Sequence, residues 1–464
     1  MTQDQALDIL KTGANVFLTG EPGSGKSYTV NEYVAYLKQQ SVPVAITAST
    51  GIAATHIGGM TIHSWSGIGI KPTLTKYDID RIASNEYVVK RMRKTKVLII
   101  DEVSMLSAET LAMVDTVCRE ILVPQLPFGG LQVVLVGDFF QLPPVQKGYQ
   151  KPMQGLFGDQ KAPRFAYDAP AWEDAQVLTC YLTEQHRQDD AVLLDLLSAV
   201  RKNEIDDTHF ETAESRRVLR DDVPQDITKL YTHNADVDRM NAGLLADIDE
   251  DEHAYTMTSR GSPKLLEGLK KGCLSPEELV VKVGARVMFT KNNQRAGYVN
   301  GTLGTVTGFT DWEKYPIVTT LDGRTLTAEP LEWTIEENGV VRAAVSQVPL
   351  RLAWAITVHK SQGMTLDAAV LDLSQVFEYG QGYVALSRVR TLEGLYLLGW
   401  NARTFEVHPD VVMKDQVFRN ASYEADAAFT AMPRSEVSTL HKNFVTAVST
   451  GVKEGASNED AEDV

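Results

Sequence analysis

The sequence predicts an α/β protein built on parallel sheets, with a small antiparallel β-domain inserted in its second half. Three observations predict this. The strand-like runs of residues 1–150 are continuously apolar instead of alternating, the mark of parallel strands covered on both faces. One of them feeds the segment Gly20-Glu21-Pro22-Gly23-Ser24-Gly25-Lys26-Ser27, which opens a helical stretch. From Val281 to about Val348 the texture changes to short runs separated by Gly, Asn and Asp, the pattern of small antiparallel strands.

Taken in order, the first strands are expected at Asn15–Thr19, Val42–Thr47, Lys96–Ile100 and Leu131–Val136, with a helix from Tyr28 to about Gln39. Polar or small residues follow each strand, so a site is expected at the carboxyl edge of the sheet, where open α/β sheets bind ligands. A second α/β unit is expected to begin near Val177–Leu182. Helix Ala191–Arg201, strand Lys229–Thr232 and helix Asp236–Leu245 continue it. Residues 246–280 carry no clear pattern. Short strands are expected at Ala285–Thr290, Gly304–Phe309, Pro316–Leu321 and Thr325–Thr327. The α/β texture resumes at Arg351–His359, Ala369–Leu373 and Gly394–Trp400.

The segment from Gly20 to Ser27 matches G-x-x-x-x-G-K-[ST] in full and sits between a strand and a helix, as a phosphate-binding loop requires. Gly23, Ser24 and Gly25 let backbone N–H groups converge on phosphate oxygens, and the helix N-terminus adds its dipole. Lys26 can reach the β- and γ-phosphates, and the Ser27 hydroxyl can ligate Mg²⁺. The run Val97–Ile100 ends in Asp101 and Glu102. In nucleotide hydrolases such a strand sets the aspartate beside Mg²⁺ and lets the glutamate polarise the attacking water. The bland alternative is an acidic start to the next helix. Gln141, after the strand Leu131–Val136, carries an amide able to sense a γ-phosphate. Arg187 and Arg388 supply planar, permanent cations suited to phosphoryl transfer. The cluster Thr357–Thr365, with His359, Lys360 and Gly363, has the polar inventory of a sugar-phosphate contact.

At 464 residues, two to four domains are expected. Cys118, Cys180 and Cys273 lie far apart, which suggests neither disulfides nor zinc and fits a reducing compartment. No run of about eighteen apolar residues suggests a membrane span, and the polar start suggests no leader. The net charge of −16 argues against a basic nucleic-acid coat, but not against a motor that grips a strand in a local groove. The tail Lys453–Val464 is acidic and reads as disordered.

The order of GEPGSGKS, TASTGIAA, TIHSW, LIIDEVSM, GDFFQLPPV, HRQ, VHKSQGMTLD and GYVALSRVR resembles the Pif-one DNA helicases, in group B of helicase superfamily one, with RecD and Dda as relatives. The resemblance covers most of residues 5–400. It implies two RecA-like P-loop lobes and an SH3-like β-domain in the second. Residues 1–172 would form the first lobe, 173–280 with 349–405 the second, 281–348 the insertion, and 406–464 a C-terminal extension with an acidic, disordered end. It implies ATP and Mg²⁺ as cofactors, single-stranded and forked or tailed duplex DNA as partners, and 5′-to-3′ unwinding by a monomer in replication, recombination or repair. The compartment would be cytoplasmic, or nuclear or mitochondrial in a eukaryote. By motif position Gln5 would read adenine, and Gly363 would join the nucleotide site. Ser27 and Asp101 would hold the metal, and Glu102 would be the base. Gln141 would sense the γ-phosphate, with Arg187 and Arg388 as fingers. Thr50, Gly51, His63, His359 and Lys360 would line the single strand, and the stretch 57–76 would include the strand-splitting wedge. Two other readings stay open: an ATP-binding switch or scaffold, and a helicase subunit of a nuclease machine.

Overall fold

The computed structural model describes all residues except 58, 70, 145–164, 186–189, 220–221, 224–226, 233, 294, 299, 338–339, 359–360, 362–363 and 454–464. The chain divides into two compact units. One comprises Met1–Phe139, Pro143–His186 and Met413–Val464, and the other Phe140–Leu142 and Arg187–Val412.

In the first unit β1 (Val16–Gly20), β2 (Val44–Ala48), β3 (Met60–Thr61), β4 (Val97–Asp101), β5 (Gln132–Val136) and β6 (Leu178–Leu182) form one sheet. Their order is β3-β2-β4-β5-β1-β6, with every pairing parallel. β1 and β5 are buried at every position, which is why their sequences run apolar without alternation. The polar exception, Gln132, is fully engaged. It accepts the Tyr33 hydroxyl at 2.6 Å and donates to the Leu10 and Ala14 carbonyls at 3.0 and 2.8 Å. One buried amide thus joins helices Gln3–Lys11 and Lys26–Gln39 to the sheet, leaving none of these groups with an unmet desolvation penalty.

β6 corrects the sequence reading, which took Val177–Leu182 as the start of the second lobe. It pairs with β1 from Val16↔Leu178 to Gly20↔Leu182. A buried parallel strand is apolar whichever sheet it joins, so its composition does not name its neighbour. The C-terminal region, unplaced from sequence, forms helices Pro409–Ala431 and Arg434–Lys453. Within the first unit Phe418 stacks among Phe17, Phe139, Tyr167 and Trp172, with centroids 4.9–6.2 Å away. Phe444 packs over Gly13, where a Cβ would meet its ring at 2.2 Å. The acidic tail expected to be disordered lies, from residue 454, outside the described residues.

In the second unit the strands are β7 (Lys229–Tyr231), β8 (His253–Thr256), β9 (Thr258–Gly261), β10 (Glu278–Val281), β11 (Arg286–Phe289), β12 (Leu303–Phe309), β13 (Pro316–Thr320), β14 (Thr325–Thr327), β15 (Leu331–Glu337), β16 (Val340–Gln347), β17 (Leu350–Leu352), β18 (Ala355–Thr357), β19 (Ala369–Leu373) and β20 (Leu395–Trp400). A parallel sheet runs β18-β7-β19-β20. The inserted region holds an antiparallel sheet, β14-β13-β12-β11-β17, closed over Val287, Phe289, Val306, Val318 and Leu350. Its pairings reach beyond 281–348. β17 joins β11, and β9 joins β16 in a three-stranded sheet. The patternless stretch 246–280 thus supplies β9, whose partner lies far along the chain, beside β8, which pairs with β10. Among the described residues no helix is long and apolar enough to cross a membrane.

Candidate active site

The phosphate loop leaves the end of β1. Gly20 has φ +146°, and a Cβ there would lie 2.6 Å from the Leu182 carbonyl and 2.7 Å from Ser24 Oγ. Gly25 caps helix Lys26–Gln39 in the left-handed region, at φ +87°, without a side-chain hydrogen bond. The first-turn N–H groups are therefore not taken by a side-chain cap, which leaves an anion-binding terminus. Lys26 Nζ donates to the Gly20 and Glu21 carbonyls at 2.7 and 2.9 Å, so it is folded along the loop it serves. Ser24 is fully buried, and its Oγ has no hydrogen-bond partner among the described residues. An orphaned hydroxyl inside a glycine-built cradle fits a bound phosphate group.

β4 carries Asp101 and Glu102 to the same sheet edge. β5 lies between β4 and β1, and Gly137 at its end passes Val103 N at a distance (3.0 Å from an added Cβ) that a side chain would crowd. Asp101 keeps some accessible surface but is deeply packed. Burial pushes its carboxyl upward, opposed by the Glu102 N–H that it accepts at 2.8 Å and by the charge of Lys26. A carboxylate held in such a place gains from a cation beside it, which fits Mg²⁺ shared with Ser27. Glu102 has left-handed backbone, φ +53° and ψ +45°, a conformation costly for a residue with a Cβ and common where geometry serves function.

The backbone of that pair is tied to the next motif. Ser49 Oγ donates to the Glu102 carbonyl at 2.7 Å, and Ser49 N–H donates to the Asp101 carbonyl at 3.1 Å. Ser49 directly precedes Thr50 and Gly51, which begin the helix Gly51–His56. The Thr50 hydroxyl caps that helix by accepting Ala53 N–H at 3.2 Å. His63 lies on the short helix Ile62–Ser66, capped by Thr61, and burial lowers its pKa, which favours the neutral ring. Of the expected wedge stretch, Ile62, Trp65, Ser66 and Ile68 are core, while Gly69, Pro72, Thr73, Thr75 and Lys76 are exposed.

Gln5, expected by motif position at the adenine, stands at the start of the first helix. Its Oε1 accepts Thr2 N–H at 2.7 Å in the capping box of helix Gln3–Lys11. Gln3 is the glutamine that reaches the loop. Its Nε2 donates to the Ser24 carbonyl at 3.3 Å and would lie 1.9 Å from a Cβ on Gly25. Two glutamines two residues apart are equal in composition, and only the helix start separates their hydrogen bonds. Ser49 was also missed, hidden within TASTGIAA beside residues chosen for the DNA side.

In the second unit Gln141 is buried, and its carbonyl and that of Phe140 crowd Gly380, where a Cβ would lie 2.6 and 2.4 Å away. The Phe140 ring lies 3.9 Å from the Arg201 guanidinium, whose Nη1 donates to the Tyr383 hydroxyl at 3.0 Å. Arg388 is 1% exposed. It donates to the Val384 carbonyl at 2.8 Å, the Met364 carbonyl at 3.2 Å and Ser387 Oγ at 2.7 Å. A finger role requires it to exchange some of these partners for phosphate oxygens. Arg187, His359, Lys360 and Gly363 lie outside the described residues.

A family model described as PIF1-like helicase matches residues 3–202, and one described as the 2B domain of DNA helicase Pif1 matches residues 264–309. A Psychrobacter protein named ATP-dependent DNA helicase Pif1 is 43% identical over 503 residues, 96% of this chain and 75% of the relative. The crystal structure of Bacteroides sp Pif1 in complex with ADP-AlF4 is 30% identical, with a TM-score of 0.77 over 90% of this chain and 96% of that one. Bacteroides Pif1 bound to ssDNA is 31% identical, with a TM-score of 0.62 over 91% and 97%.

Proposed function

The chain belongs to the PIF1-like helicase family and is an ATP-dependent DNA helicase, and we propose that it tracks 5′ to 3′ along one strand as a single copy. The observation that carries the mechanism is the tie of the Asp101–Glu102 backbone to Ser49, one residue before the expected DNA contact Thr50. Lys26 and the loop N–H groups hold the triphosphate, and Ser27 and Asp101 hold Mg²⁺. Glu102 takes the proton of the attacking water, while Gln141 senses the γ-phosphate and Arg187 and Arg388 act as its arginine fingers. Thr50, Gly51 and His63 grip the strand in the first lobe, and His359 and Lys360 in the second. The exposed part of 57–76 parts the strands, and forked or tailed duplex DNA is the substrate. The acting compartment is the cytoplasm, as fits bacterial relatives.

The test is the ATPase rate with and without a single strand. Strong stimulation, lost in Lys26→Ala, supports this reading. Turnover indifferent to DNA favours an ATP-binding switch.

A further inference from the structure

Between Lys71 and Lys96 eight basic residues stand against three acidic ones, a local balance of +5 in a chain of net charge −16. Two short helices, Lys76–Ala83 and Glu86–Lys94, carry much of this stretch, and the excess lies on the second: the first sets Lys76 and Arg81 against Asp78 and Asp80, while the second sets Lys90, Arg91, Arg93 and Lys94 against Glu86. On the second, Val88 and Met92 are buried while Tyr87, Lys90, Arg93 and Lys94 are exposed, which at 100° per residue puts those four on one side. On the first, Lys76, Tyr77, Asp80 and Arg81 are exposed around buried Asp78 and Ile82, and Arg81 pairs with Asp78 at 3.7 Å, so this helix adds a tyrosine and Lys76 more than net charge. Tyr77 and Tyr87 are 74% and 72% exposed, large rings left in water beside cations.

The helix dipole accounts for cations in a last turn, and so for Arg93 and Lys94. It does not account for Lys76, which opens its helix against the dipole, nor for either tyrosine. The face is also fixed to the DNA-side motif. Arg91 donates to the Ser64 and Trp65 carbonyls, both at 3.0 Å, and so holds the second helix on the segment that carries His63. Gly67, within the expected wedge stretch, packs against Ile82 and Val88 of the two helices, with a Cβ there 3.2–3.3 Å from each. The root of the candidate wedge therefore rests on the helix that bears the basic face with Tyr87 and on its neighbour that bears Tyr77.

We propose that these faces bind the strand displaced at the fork. Cations interleaved with exposed aromatic rings suit a single strand, whose unpaired bases can stack while its phosphates pair. A duplex offers phosphates but no free base faces, so the tyrosines select the displaced strand over the duplex ahead. The inference rests on the helicase reading, and the test separates the two.

Binding of three labelled DNAs would be compared: a 5′-tailed duplex, the same duplex with an added non-complementary 3′ tail, and a longer 5′-tailed duplex. The protein should bind the two-tailed fork more tightly than the 5′-tailed duplex. The variant Tyr87→Ala/Lys90→Ala/Lys94→Ala should lose that preference, by roughly tenfold, the scale of one stacked base plus lost ion contacts. Tyr87→Phe, which keeps the ring, should retain it. An unchanged fork preference in the triple variant overturns the proposal. So does an equal loss on every DNA, or a loss that follows duplex length. Failure of the 5′-tailed duplex to stimulate ATP hydrolysis in the unaltered protein would instead sink the helicase reading itself.

Discussion

Replacing Ser49 with alanine removes the hydroxyl that holds the Glu102 carbonyl at 2.7 Å and leaves the Ser49 N–H bond to Asp101 in place. A neutral hydrogen bond of this kind contributes about 1 kcal/mol net. The Glu102 carbonyl keeps a second donor, Met105 N–H at 3.1 Å, so no buried acceptor is stranded and the fold should lose only about that amount. Left-handed backbone at a residue with a Cβ costs about 1–2 kcal/mol, so the lost tie is comparable to the strain it helps to hold. If that energy falls on the hydrolytic barrier, kcat drops about fivefold, since 1.36 kcal/mol is tenfold. KM for ATP should change little, because Ser49 bonds to the acidic pair and not to the phosphate loop. Steady-state ATPase at saturating single strand, with thermal unfolding as a control, measures both. An unaltered kcat in a folded Ser49→Ala protein refutes the positioning role. An effect confined to KM refutes it too.

Glu102→Gln should bind nucleotide normally and hydrolyse it at least a hundredfold more slowly, because the amide cannot accept the proton; equilibrium nucleotide binding beside single-turnover hydrolysis checks this. Phe418→Ala should cost about 3–5 kcal/mol by emptying the centre of the aromatic cluster, read as a lowered melting temperature, and little change would mean that the C-terminal helix is not part of the first unit's core. Asp78 is pushed down to about 2, first by its hydrogen bond from Lys71 and then by those from Thr75. Because its folded value lies below the ordinary 3.8, the clamp on residues 71–75 contributes fully above about pH 4 and is lost as pH falls through about 2. Amide exchange at Thr75 should stay slow down to pH 4, and Asp78→Asn should speed it at neutral pH.

Most of the first sheet was legible because its strands are buried on both faces and therefore apolar throughout, with a phosphate loop to fix their order of use. The neighbour of β1 was not legible, since Leu178–Leu182 is equally apolar in either sheet. The inserted β region was visible in its compact middle, where turns punctuate short strands. Its edges were not, because β9 finds its partner Ala343–Ser346 more than eighty residues later, and no local pattern encodes such a pairing. Lys26, Asp101 and Glu102 stand out in the sequence by chemistry at fixed spacing, and the structure brings them to one sheet edge. Ser49 and Gln3 do not, because each acts through a backbone carbonyl, and any carbonyl looks alike in sequence. The helices of 409–453 bury scattered rings such as Phe418 and Phe444 against another part of the chain, a surface the sequence does not display.

Strand displacement on two tailed duplexes tests the central claim most directly. With ATP and Mg²⁺, the duplex bearing a 5′ single-stranded tail should be unwound and the one bearing a 3′ tail should not, and Lys26→Ala should abolish the activity. Preferential unwinding of the 3′-tailed duplex would contradict the proposed direction of travel, and unwinding that survives Lys26→Ala would contradict its coupling to the phosphate loop.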